Sequence, residues 1–87
     1  MNIKAMQLVF NKSNTKGMDR MIMLYLAWRS AANLISRLFL NDIAEKAMIN
    51  PASVPKALSR LVKFGELSHA GDGADGTCCY RITLADH

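Results

Sequence analysis

Gly65 divides the chain by hydrophobic period. Before it, apolar residues recur every three to four positions, the spacing of helices; after it they alternate, the spacing of strands. Val54, Leu58, Leu61 and Val62 mark one side of a helix that Gly65 ends as the residue past its C-terminus. Beyond it, Cys78, Tyr80, Ile82 and Leu84 alternate with Cys79, Arg81 and Thr83. Leu67 to Ala70 supplies a partner strand, and the glycine-rich segment 71–76 joins the two. The expected class is therefore mainly α with a small antiparallel β-hairpin (α+β).

Upstream, residues 18–36 read as a first long helix, with Met18, Met21, Ile22, Tyr25, Trp28 and Ile35 at helical spacing. Its stretch MIMLYLAW is apolar on nearly every face, so the helix is central or its second face meets a partner. Met21, Leu24 and Trp28 are expected against the domain, and Met23, Leu26 or the N-terminal segment against a second subunit in a homodimer. The rival expectation is that residues 1–10 fold back over the extra apolar surface and leave a monomer. Residues 3–10 fit both periods and are read as a short helix packed on the domain; 11–17 are a polar break.

Leu38 to Leu40 is read as one short strand. Asn41 then caps a second helix over 42–48, with Asp42 and Glu45 favoured by the dipole and Ile43, Ala44, Ala47 and Met48 inward. A tight turn follows at Ile49-Asn50-Pro51. Pro55 fits the third helix if Ser53 is its cap, because a missing N–H costs little at the second helical position.

Eighty-seven residues make one domain, here 17–84, with 1–16 packed on it and 85–87 as a tail. The net charge of +4 is unevenly spread. Residues 1–65 hold ten Lys/Arg against three acids, a net of +7; residues 66–87 hold one against four, a net of −3. The first part is the one that seeks anions. Cys78 and Cys79 are adjacent, a poor arrangement for a disulfide, and suggest a reducing cytoplasm. No signal-peptide run opens the sequence, and the eight apolar residues from Met21 fall far short of the ~20 that span a bilayer.

His69, Cys78, Cys79 and His87 match no common zinc spacing, and Asp72 with Asp75 lacks the rest of a calcium ligand set. No histidine neighbours a nucleophile motif, and no glycine-rich phosphate loop lies between strand and helix. No enzyme, cofactor or metal is expected.

The run 40-LNDIAEKAMINPASVPKALSRLVKFGEL-67, followed by Tyr80-Arg81-Ile82-Thr83, resembles the winged helix-turn-helix family. It is similar to small bacterial transcription regulators and to the DNA-binding domains of phage and plasmid replication proteins. The resemblance spans residues 18–84 and implies a three-helix core plus wing, with the third helix in a DNA major groove. The residues agree. With Val54, Leu58 and Leu61 buried, Ser53, Lys56, Ser59, Arg60 and Lys63 face solvent, and the three basic ones share a face. Lysines there neutralise phosphate, Arg60 pairs with guanine, and the serines meet a base or phosphate. The wing departs from the pattern: its tip carries Asp72 and Asp75 and no Lys or Arg, which phosphate repels. The expectation is sequence-specific binding of double-stranded DNA by a transcriptional regulator. The alternatives are a phage or plasmid replication or partition protein, and a winged helix used only for protein interaction.

Overall fold

The computed structural model describes residues 1–86. Helix α1 (Ile3–Lys12) confirms the helical reading of the N-terminal segment. The Asn2 side chain caps it by accepting from the Ala5 amide at 3.0 Å, while its Nδ2 donates to the Ala31 carbonyl at 2.9 Å. One polar side chain thus starts α1 and fixes its position against the end of the next helix. Ala5 and Val9 are the α1 residues buried in the core.

Helix α2 (Gly17–Arg29) is shorter than expected and differently rotated. It buries Ile22, Met23, Leu26 and Ala27. Met21 and Trp28, expected inside, are 49% and 43% exposed. Met23 and Leu26, expected at a subunit contact, are core residues. With nearly every position apolar, the helix carries only a faint directional signal, and its rotation is set by tertiary packing.

The helical spacing that continues through Ala31, Ala32 and Ile35 is overridden. Ser30 turns the chain into extended backbone, its hydroxyl donating to the Ala27 carbonyl at 2.8 Å. Strand β1 (Ile35–Leu38) follows, so residues 30–36 are not helix and the short strand lies three residues earlier than expected. Strand pairing decides this: Ile35 pairs with Arg81 and Leu38 with Cys78, and the buried Ser36 hydroxyl donates to the Leu26 carbonyl at 2.7 Å.

Helix α3 (Leu40–Ala47) begins after Phe39, so Asn41 lies inside it and is not its cap. Met48 ends it in the left-handed region (φ 56°), which throws its side chain outward, 90% exposed instead of inward. Asn50 then caps a single 3₁₀ turn (Pro51–Ser53) by accepting from the Ala52 amide. Helix α4 (Val54–Lys63) starts as anticipated, with Ser53 at its cap position and Pro55 in its first turn. Val54, Ala57, Leu58 and Leu61 are buried; Val62, expected with them, is exposed. Gly65 (φ 82°) closes the helix: its amide donates to the Val62 carbonyl and the Glu66 amide to that of Leu61. These paired bonds satisfy two of the helix's last carbonyls.

Strands β2 (Leu67–Asp72) and β3 (Cys78–Ile82) form the hairpin. β1 adds to β3, giving a three-stranded antiparallel sheet in the order β1-β3-β2. A bulge between His69 and Gly71 shifts the register. The sheet and helices share one core, in which Leu58 and Leu61 of α4 join Ile43 of α3 and Ile22 and Leu26 of α2. The α+β class expected from the change of period at Gly65 is what the chain adopts.

Candidate nucleic-acid interface

Helix α4 lies immediately after the turn that follows α3, and its inner stripe of Val54, Leu58 and Leu61 is held in the core. That fixes what its other side presents. Lys56, Ser59 and Lys63 are exposed, and Ser53 at the start of the helix is half-buried. Lys56 and Lys63 lie seven residues apart, about 10.5 Å along the helix axis and on nearly the same azimuth. The exposed Pro51, Ala52 and Pro55 beside them restrict the backbone where the helix begins.

Arg60 is placed differently from the lysines. Its guanidinium turns toward α2, where Nη2 and Nε donate to the two carboxylate oxygens of Asp19 at 2.8 and 3.2 Å. The bonds to Asp19 hold Arg60 above its already high ordinary pKa, against a smaller opposing effect of desolvation. Of the five expected site residues, Lys56, Ser59 and Lys63 lie exposed on the outer side of α4, Ser53 is half-buried in the 3₁₀ turn that precedes it rather than facing solvent, and Arg60 sits at the helix flank in a forked pair. Asp19 is not legible as part of this surface from the sequence: it is 41 positions away, with no local motif marking the contact.

The hairpin acids have partners as well. The Asp75 carboxylate accepts from the Thr77 hydroxyl at 2.6 Å and the Thr77 amide at 3.2 Å, with Arg37 Nη2 at 3.3 Å. These bonds, the Thr77 hydroxyl foremost, hold its pKa down at about 2. Arg37 also donates from Nε to the Thr77 hydroxyl at 3.0 Å. Asp72 meets His69 Nε2 at 2.9 Å. In the sequence the tip reads as bare negative charge; in the structure Arg37 of β1 offsets Asp75, and Asp72 lies within hydrogen-bonding distance of His69.

His69 stands opposite Tyr80 in the sheet, and Asp72 opposite Cys78, so His69 and Cys78 do not face each other as a zinc pair would need. Burial and the nearby Asp72 carboxylate push the Cys78 thiol up, away from the reactive thiolate form. Among the described residues, no three His, Cys, Asp or Glu side chains are grouped to hold a metal ion; His87 lies outside them. Also among the described residues, no helix is long and apolar enough to cross a membrane. No family model, curated protein or solved structure matches the chain.

Proposed function

We propose that the chain is a winged helix-turn-helix domain that binds double-stranded DNA sequence-specifically, as a transcriptional regulator, with α4 in the major groove. The order of elements from α2 onward and the three-stranded sheet are consistent with that fold. The observation that carries the reading is the outer side of α4. Lys56, Ser59 and Lys63 stand exposed there, opposite a fully anchored apolar stripe, on a helix narrow enough for a groove about 12 Å wide. The Arg37 contact to Asp75 reduces the repulsion that a bare acidic tip would impose beside a phosphate backbone. A role in phage or plasmid replication uses the same surface and is separated from transcription by the site recognised.

Titration of the protein against a random-sequence duplex at several salt concentrations tests the proposal. Affinity should fall steeply with salt. Replacing Lys56 and Lys63 by Ala should flatten the log–log slope by about 0.9 for each phosphate that is no longer neutralised. Wild-type protein that binds no duplex at low salt excludes this function. A second reading, a module that binds protein, rests on Met21 and Trp28, which stand exposed on the side of α2 away from its buried residues. Self-association through that side is tested by sedimentation equilibrium. A single 9.6 kDa species at high concentration excludes a stable homodimer.

A further inference from the structure

Asp19 is an acid on a surface whose proposed ligand is a polyanion. Its carboxylate is only 15% exposed and is spent on one partner, Arg60, whose side chain is 43% exposed. The pair is forked: Nε and Nη2 each donate to a separate oxygen. A guanidinium has five N–H donors in a rigid plane, and this grip uses only one edge. Nη1 and the second N–H of Nη2 point away from that grip. They form a second edge of two parallel donors, the arrangement that chelates guanine O6 and N7.

We infer that Asp19 is a positioning residue for DNA recognition: it grips the Nε–Nη2 edge of Arg60 and so presents the Nη1–Nη2 edge, at the flank of α4, to a guanine. This rests on the reading of α4 as the DNA-contacting element. An arginine on a free stem loses rotamer freedom when it pairs with a base, whereas one already clamped to a neighbouring helix has lost much of it before DNA arrives. A structural strap between α2 and α4 is the competing explanation, since a forked, half-sheltered pair of this kind contributes to stability more than an ordinary surface pair. The two differ in what they predict for DNA: the carboxylate weakens attraction to every phosphate nearby, and a positioning role offsets that with selectivity at one base.

Those two effects have opposite signs, and that makes the inference testable. Duplexes would be selected from a randomised pool with wild-type protein. Affinities would then be measured for the selected duplex, for versions with each guanine replaced, and for a scrambled duplex. One guanine should lose its preference in Arg60→Ala. Asp19→Asn keeps the side-chain shape but removes the charge. It should reduce preference at that same guanine by on the order of 5- to 150-fold, the range of one bidentate pair, while binding the scrambled duplex at least as tightly as wild type. Arg60→Lys should keep the charge and likewise lose the preference. Thermal melts of each variant report whether it is folded. The inference is overturned if folded Asp19→Asn retains the guanine preference, or weakens on selected and scrambled duplexes in parallel, as a purely structural strap would. Wild-type protein that selects a sequence without an Arg60-dependent guanine overturns this inference alone; failure to bind any duplex removes the DNA-binding reading and this inference with it.

Discussion

The Glu66 carboxylate, in a residue only 5% exposed, accepts the Ser13 hydroxyl at 2.6 Å and the Asn14 amide at 2.9 Å. One acid at the entrance to the hairpin therefore holds the turn between α1 and α2. Ser13 also ends α1 through its own amide, which donates to the Val9 carbonyl. Glu66→Ala removes both acceptors: the Asn14 amide loses its partner, and the Ser13 hydroxyl keeps only the Thr15 hydroxyl at 2.6 Å as a side-chain acceptor. The expected loss is about 1–3 kcal/mol of unfolding free energy, measured by urea denaturation. An unmoved midpoint would show that water replaces the carboxylate at no cost.

Leu58 tests the anchoring of α4. It is 2% exposed, in the core cluster that also holds Ile43 and Leu26. Leu58→Ala should cost about 2–5 kcal/mol, a large share of the stability of so short a chain. A melting temperature that did not move would mean the helix is not held by this stripe.

The same stripe explains which parts of the molecule are legible in the sequence. Val54, Leu58 and Leu61 are interspersed with polar positions, so the buried side of α4 follows from spacing alone, and Gly65 marks its end. The outward position of Lys56, Ser59 and Lys63 follows by subtraction. In α2 nearly every position is apolar, so subtraction has nothing to work on, and Met21 and Met23 exchange their expected environments. Residues 30–36 imitate a continued helix because the strand partner that overrides the pattern lies more than 40 residues away, around Tyr80, where local periodicity does not reach. The Asp19–Arg60 and Arg37–Asp75 pairs are hidden for the same reason.

A side chain at Gly73 should disturb the bonds of the hairpin tip. Its amide donates to the Thr77 carbonyl at 2.8 Å and its carbonyl accepts from the Gly76 amide at 3.2 Å. A Cβ added there would collide with the Thr77 hydroxyl and lie 2.6 Å from Asp75 Oδ1 and 2.7 Å from Arg37 Nη2. Gly73→Ala should displace the Arg37 and Asp75 side chains and break the Arg37–Thr77 bond; because those two side chains are more than half exposed, the cost should fall below the about 1–3 kcal/mol of overpacking in a core. Amide exchange should rise across residues 72–78 and stay unchanged in α2 and α4, whose contacts lie elsewhere. Unaltered exchange at Thr77 would show that the tip is looser than these distances imply.

Asp75 gives that tip a defined response to acid. The Thr77 hydroxyl and amide and the Arg37 guanidinium all favour its charged form, which lowers its pKa from 3.8 to about 2. The unfolded chain takes up the proton first as pH falls, so the contribution of these bonds to folding is complete above about 3.8. It declines below that and is lost as pH drops through about 2. The carboxylate is exposed, so the effect is confined to the tip. In an NMR titration the Thr77 amide should report a midpoint near 2. In Thr77→Val, which removes the hydroxyl that contributes most, the midpoint read at the Asp75 carboxyl carbon should move back up toward 3.8. Replacing Arg37 by Gln should move it less, because the Arg37 bond is a smaller contribution than those of Thr77. A wild-type midpoint close to 3.8 would mean that the bonds around Asp75 do not persist in solution, and the tip would then present Asp75 as an uncompensated acid to whatever it approaches.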